Sequence, residues 1–263
     1  MRFISGLIIS ITLITCKKQS DSSVLVFGHA GMGLEMQNSI YHDNSFEAVE
    51  LCLQLPNSNG VEVDIQMDKN GCLWLYHDEF LEKITSISGC INDKTTSELE
   101  NVYYRTLKKE KLVKLDQILP LIGTGQKLLL DIKNKNACSN STVNIDLFKQ
   151  SLSNLLETSN SNISLILSDP NWLNEFDDLF SCYYSSDLFS EANELIIQNQ
   201  KIDGIVIRNK AIKKEEIDEI KKIGKEIILF DIRSPKGNRE AINKNPNGLI
   251  TDDIRAALIE RGN

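Results

Sequence analysis

Val61-Glu62-Val63-Asp64-Ile65 reads as a strand whose two faces differ in chemistry. Successive strand side chains point to opposite sides, so Val61, Val63 and Ile65 share one face and Glu62 and Asp64 the other. Two acids on a half-buried face repel each other and lose hydration unless a cation lies between them. Working outward, apolar runs recur at Val24–Gly28, Lys127–Ile132, Ile163–Leu167, Cys182–Ser185, Gly204–Ile207, Glu226–Phe230 and Gly248–Thr251, which with Val61–Gln66 makes eight. Several are nearly continuous in Val, Ile and Leu, as parallel strands covered on both sides require. Helix-like stretches separate them at Ser45–Leu55, Leu147–Leu156, Asn171–Phe180, Leu188–Gln198, Lys214–Ile223, Arg239–Asn243 and Ile254–Glu260. Asn44 and Glu47 suggest a capping box for the first of these, and Gly224 ends the Lys/Glu-rich one. Eight alternating units with right-handed crossovers predict a (β/α)8 TIM barrel, with an open doubly wound sheet as the competing architecture.

The alternation breaks between Gly71 and about Leu112, where strand-like Cys72–Tyr76, then His77-Asp78, a polar stretch with Gly89 and a short helix near Thr96–Val102 follow one another. An insertion after the second barrel strand lands on the face where barrel enzymes do their chemistry. The length of 263 residues suits one such barrel, and 41% hydrophobic with 25% charged residues indicates a folded core. A formal net charge of −8, with no long Lys/Arg block, argues against broad nucleic-acid binding.

At the N-terminus, Arg2 precedes the apolar run Phe3–Thr15, then Cys16 and the polar stretch Lys17–Ser23. The run is too short for a comfortable membrane span. Leu13-Ile14-Thr15-Cys16 resembles a bacterial lipoprotein signal, although Thr15 is a less usual residue before the cysteine. The expected organisation is a signal peptide with a lipoprotein-type cysteine over 1–16, a linker over 17–23 and the barrel over 24–263. The chain is then exported and held as a lipoprotein in a bacterial cell envelope, through a lipid on Cys16. An ordinary secretory signal is the alternative. Of the other five cysteines none forms C-x-x-C, which argues against a thiolate zinc site. Cys72 with Cys90 is one conceivable disulfide, and buried free thiols are expected for most of the rest.

Two of the three histidines, His29 and His77, follow strand-like runs on either side of the Glu62/Asp64 strand. Imidazoles beside a carboxylate-held cation supply the acid and base that hydrolysis needs. In chain order the sequence reads Gly28-His29-Ala30-Gly31, Asn44-Ser45-Phe46-Glu47-Ala48, Gly60-Val61-Glu62-Val63-Asp64-Ile65, Asp68-Lys69-Asn70-Gly71 and His77-Asp78, with Asn245-Pro246-Asn247-Gly248-Leu249-Ile250-Thr251-Asp252 at the end. This order and spacing resembles the glycerophosphodiester phosphodiesterases, from Val24 to about Arg261.

The resemblance implies a TIM barrel that uses one divalent cation, Mg2+ or Ca2+, to split glycerophosphodiesters into glycerol 3-phosphate and an alcohol. It implies Glu62, Asp64 and Asp131 as metal ligands, His29 and His77 as the acid–base pair, and Lys133 beside the phosphate. Asp131 stands where the family has a glutamate. The arginine that ordinarily follows the first histidine is Ala30 here, so Lys133, Arg208 or Arg233 is expected to take over phosphate binding. Phe230-Asp231 stands where the seventh strand often has tryptophan. The implied partners are a small-molecule glycerophosphodiester and a membrane reached through the lipid anchor, with no nucleic acid. A phosphodiesterase for another lipid headgroup or polyol phosphodiester, or a non-catalytic barrel that binds a phosphate ligand, are the alternatives.

Other features carry simpler readings. His42 lies in a polar loop and is expected to do no chemistry, Asn44 to cap the following helix, and Trp74 and Trp172 to pack in the core. The alternating charges of Lys213–Lys225 read as a solvated helix face, and the glycines of Gly28–Gly33 lack a dinucleotide fingerprint.

Overall fold

The computed structural model describes residues 24–262 apart from 35, 37, 38, 158, 160, 161 and 200. The signal peptide, Cys16 and the linker lie outside the described residues. Eight parallel strands run β1 (Leu25–Gly28), β2 (Gly60–Met67), β3 (Lys127–Ile132), β4 (Asn162–Leu167), β5 (Ser181–Ser186), β6 (Gly204–Arg208), β7 (Glu226–Ile232) and β8 (Gly248–Thr251). Each pairs with its sequence neighbour, and β1 pairs with both β2 (Phe27 opposite Gly60) and β8 (Leu25 opposite Gly248), which closes the sheet. The closed (β/α)8 barrel holds, and the open-sheet alternative falls.

The helices α1 (Phe46–Gln54), α2 (Ile145–Leu156), α3 (Pro170–Phe176), α4 (Phe189–Gln198), α5 (Lys214–Lys222), α6 (Pro235–Asn243) and α7 (Ile254–Arg261) surround the barrel. Pro170 opens α3 rather than breaking it, since the first helical residue needs no N–H. Alternation along the strands sorts side chains into two cores. Val61, Val63, Ile65, Leu128, Leu130 and Ile132 face the helices, whereas Phe27, Leu129, Ile166, Tyr183, Val206, Ile228 and Ile250 fill the barrel. Glu62 and Asp64 therefore point into the barrel, as the period of two requires.

The insertion after β2 has its own core of Trp74, Tyr76, Leu81, Ile91, Leu99, Val102, Tyr104 and Leu112. Short strands Leu73–Leu75 and Val113–Lys114 extend β2 antiparallel and fix its base. Trp74 and Trp172 are buried core residues. The Cys72–Cys90 pairing does not form. Cys90 bonds Cys138 instead, tying the insertion to the loop after β3, while Cys72 is free and half-buried and Cys52 and Cys182 are free and buried.

The cap of α1 also differs from expectation. Ser45 is the N-cap, its Oγ accepting from the Ala48 N–H at 3.1 Å. Asn44 sits before it with φ 55° and turns its amide away from the helix.

Candidate active site at the barrel mouth

Glu62 and Asp64 lie within β2 and Asp131 within β3, Arg208 ends β6, His29, Lys133 and Arg233 stand just past β1, β3 and β7, and His77 follows the short strand Leu73–Leu75. Gly28 ends β1 at a turn so tight that a Cβ there would lie 2.0 Å from the Gly31 carbonyl oxygen. The turn presents His29 to the mouth. Its Nδ1 is 2.7 Å from Asp252 Oδ1, just past β8, and its Nε2 is 3.8 Å from Glu62 Oε2. Because a carboxylate only accepts, Nδ1 carries a proton, and Nε2 is the nitrogen on the Glu62 side. Burial opposes the imidazolium, but Asp252, Glu62 and Asp64 outweigh it and raise the His29 pKa from the ordinary 6.5 to about 9.

Glu62, Asp64 and Asp131 each offer an oxygen, all within 4.8 Å of one another. Glu62 and Asp64 are almost wholly buried. Burial and the charge of Asp64 hold Glu62 far above the usual carboxylate range. Burial acts on Asp64 in the same sense, yet the charges of Lys133, His77 and His29 override it and keep Asp64 ionised. Lys133 Nζ is 2.8 Å from Asp64 Oδ1 and 2.7 Å from Asp131 Oδ2. With Lys133 as the only ammonium among them, the three acids stay close enough together that Glu62 is driven toward its protonated form and His29 toward its imidazolium. Oxygen donors of this kind suit a hard divalent cation, so the residues present fit one.

His77 stands across the same cavity. Its Nδ1 lies 3.2 Å from Asp78 Oδ1, a hydrogen bond that raises its pKa against the effect of burial. Asp78 also accepts from Lys83 Nζ at 2.8 Å, and Gln66 donates to the carbonyls of Tyr76 and Asp78, holding the turn. The cavity, of about 370 Å³, is lined by His29, His77, Glu62, Asp64, Asp131, Lys133, Arg208 and Arg233 together with apolar Ile166, Val206, Phe230 and Ile250.

The three candidate phosphate cations thus reach one cavity, each tied to carboxylates. Arg208 Nε is 2.6 Å from Asp187 Oδ1, one of its terminal nitrogens is 3.2 Å from Asp231 Oδ2, and its guanidinium lies 5.0 Å over the Phe230 ring. Arg233 Nε is 3.2 Å from Asp231 Oδ1 and 3.6 Å from Asp252 Oδ2. Ala30 is fully buried with φ 48°, and its N–H donates to Glu62 Oε2 at 3.1 Å. At the position where the sequence resemblance implies an arginine, this chain contributes a backbone donor to a carboxylate.

Sequence reasoning missed four supporting residues. Asn44 does not cap α1; it is buried and clamps Asp64, accepting from its N–H at 3.0 Å and donating to Oδ2 at 2.8 Å. Asp252 and Asp78 orient the two histidines, and Asp231, with φ 60°, bridges the two arginines. Their common signal was an acid or amide standing beside a strand end or a site residue. His42 lines an adjoining pocket of about 270 Å³ that shares Leu34 and His77 with the cavity, and its ring stacks on Tyr104 at 3.9 Å.

The family profile described as "Glycerophosphoryl diester phosphodiesterase family" matches residues 29–256. A glycerophosphodiester phosphodiesterase of Bacillus altitudinis is 27% identical over 117 residues, which span 43% of this chain and 45% of that protein. A second, from Caldanaerobacter subterraneus, is 26% identical over 36% of this chain and 40% of its own. The alignments thus cover less than half the length of these relatives. Among solved structures, an Oleispira antarctica phosphodiesterase in complex with the product sn-glycerol-3-phosphate has a TM-score of 0.76 at 15% identity, covering 90% of this chain and 96% of that one. A Thermotoga maritima glycerophosphodiester phosphodiesterase has 0.70 at 21%, with the same coverage of 90% and 96%. At these identities the structures establish the fold.

Proposed function

The chain belongs to the glycerophosphoryl diester phosphodiesterase family, and from that premise we propose that it hydrolyses glycerophosphodiesters to glycerol 3-phosphate and an alcohol. The observation that carries the proposal is the convergence of Glu62, Asp64 and Asp131 in one cavity with His29 and His77. The three acids would hold one divalent cation, Mg2+ or Ca2+, which when bound offsets the charge of the phosphoryl oxygens.

The chain's own groups do the rest. Lys133, Arg208 and Arg233 bind the phosphate in place of the absent arginine; Asp231 keeps the two guanidinium groups side by side. Asp252 and Asp78 fix the proton on Nδ1 of each histidine, so that Nε2 exchanges protons with substrate. One imidazole takes the proton of water, or of the substrate's glycerol hydroxyl, as that oxygen attacks phosphorus. The other protonates the alkoxide as the phosphorus–oxygen bond breaks. If the glycerol hydroxyl attacks, the cyclic phosphate is opened by water with the two roles exchanged. Apolar Ile166, Val206, Phe230 and Ile250 at the base of the cavity exclude bulk water.

The test is release of glycerol 3-phosphate from a panel of glycerophosphodiesters, with and without chelator, for wild type and His29→Ala. Turnover that a chelator abolishes, and that His29→Ala loses, supports the reading. Chelator-insensitive turnover contradicts the metal-dependent route, and no turnover on any diester favours a binding barrel. Replacing Arg208 and Arg233 by alanine should raise KM; an unchanged KM contradicts their phosphate role.

From the N-terminal Leu13-Ile14-Thr15-Cys16 we further propose that the protein is an exported lipoprotein anchored through Cys16. The Cys90–Cys138 disulfide supports export, because oxidising compartments are where such bonds persist. Incorporation of labelled fatty acid into wild type but not Cys16→Ser tests it. Among the described residues no helix is long and apolar enough to cross a membrane.

A further inference from the structure

The insertion ends in a projecting hairpin that the catalytic reading leaves unused. Its stem is firm. Tyr103 pairs with Lys111, the Tyr104 N–H donates to the Glu110 carbonyl at 2.9 Å, and the Leu112 N–H donates to Val102 at 3.0 Å. Val102, Tyr104 and Leu112 are all buried in the insertion core. The tip is held too: Thr106 Oγ1 accepts from the Lys109 N–H and donates to Glu110, and Lys109 takes φ 52°. On this braced tip Leu107 is fully exposed, and Tyr103 is 40% exposed. A rigid turn that holds a leucine wholly in water has an apolar surface with nothing to cover it among the described residues.

Its surroundings are basic although the chain carries −8 overall. Arg105, Lys108, Lys109 and Lys111 fall within the tip, and their one acidic neighbour there, Glu110, is buried and accepts from His42 N–H and Thr106. None of the four cations has a carboxylate within ion-pair distance among the described residues. Arg105 donates to the carbonyls of Glu82 and Lys83, which ties the hairpin to the turn carrying Phe80, itself 41% exposed. That turn borders the pocket that shares His77 with the catalytic cavity.

We propose that the Tyr103–Lys111 hairpin is a docking surface for an anionic lipid bilayer, with Leu107 entering the acyl boundary and Arg105, Lys108, Lys109 and Lys111 meeting lipid phosphates. An apolar tip ringed by cations matches an anionic interface in both chemistry and charge, and lysine stems can lie along the apolar boundary while their ammonium groups stay wet. The rest of this acidic protein is repelled by the same surface, so the patch sets orientation as well as contact. Docking there brings the active-site mouth beside the bilayer. The inference needs no catalytic turnover, so it stands or falls separately from the activity.

The experiment uses the full chain with Leu107→Trp and vesicles whose acyl chains carry bromine, which quenches only an inserted indole. Trp74 and Trp172 are buried and give a constant background. Quenching is expected on phosphatidylglycerol vesicles at about tenfold lower lipid concentration than on phosphatidylcholine vesicles, and adding Lys108→Glu and Lys109→Glu should remove that difference. Near-UV circular dichroism of each variant confirms that the fold is intact. Absent quenching on phosphatidylglycerol overturns the proposal, even if the protein is attached through its N-terminal segment. Equal quenching on both lipids, or indifference to charge reversal, also overturns it. A blue shift that grows with protein concentration without vesicles assigns the surface to a second copy instead.

Discussion

At the floor of the barrel, where the strands begin, each polar side chain is answered by a neighbour. Ser164 and Ser181 share a hydrogen bond of 2.6 Å, Ser181 donates to Asp203 at 2.5 Å, and Tyr183 donates to Glu226 at 2.5 Å with Lys127 Nζ 3.3 Å from its hydroxyl. Toward the mouth the same strands, with the turn after β8, carry Glu62, Asp64, Asp131, Asp231 and Asp252, and three non-glycine residues there have positive φ: Ala30, Asn44 and Asp231. There ion pairs of both signs are gathered around one cavity. The difference separates polar groups that hold the barrel together from polar groups that wait for a ligand, although both sets sit on the same eight strands.

The largest effect expected from this contrast is catalytic. His29→Ala and His77→Ala should each lower kcat by roughly 10²–10⁴-fold, since each removes a proton-transfer group at the mouth, and His77→Ala should move Tm little. A large loss of Tm in His77→Ala would place that residue with the floor residues.

Next comes the pH dependence of the metal-free protein. The folded pKa of His29, about 9, lies above its ordinary 6.5, so the native state holds the extra proton. The resulting stability is complete below pH 6.5 and is lost as pH rises through about 9. Denaturant melts should show a fall of up to about 3 kcal/mol over that window, flattened when a divalent cation is added. A profile that is flat without the cation would contradict the crowding of charge described at the mouth.

Tyr183→Phe probes the other end. It leaves Glu226 without its donor and should cost about 1–3 kcal/mol of stability with kcat unchanged. The smallest effect is the reverse in sign: above about pH 8, where Glu62 ionises, Glu62→Gln relieves a buried repulsion and should stabilise the metal-free protein by about 1 kcal/mol while weakening cation binding. Lower stability in that variant at that pH would mean that the Ala30 N–H and His29 contacts of Glu62 outweigh the repulsion from Asp64.

Much of this was legible in the residues, for identifiable reasons. Strand bounds agreed to within one or two residues because parallel barrel strands are continuous apolar runs, and the inward face of Val61–Ile65 followed from a period of two. The partners of the site were not legible. Asn44 looked like a helix cap because Asn favours that position, yet Ser45 beside it serves equally well and frees the amide to clamp Asp64. Asp252 reaches His29 across 223 residues of chain, a contact that only closure of β8 on β1 creates. The Cys90–Cys138 bond likewise joins the insertion to the loop after β3, which local spacing could not indicate.

The most direct test of the cation-centred site is to titrate divalent cation into the chelated full chain by calorimetry and to assay the same samples for glycerol 3-phosphate release. One cation bound per chain, turnover rising in proportion to occupancy, and loss of both in Asp64→Asn and Asp131→Asn is the predicted result. Turnover undiminished in the chelated protein, or cation binding unchanged in both variants, would contradict it.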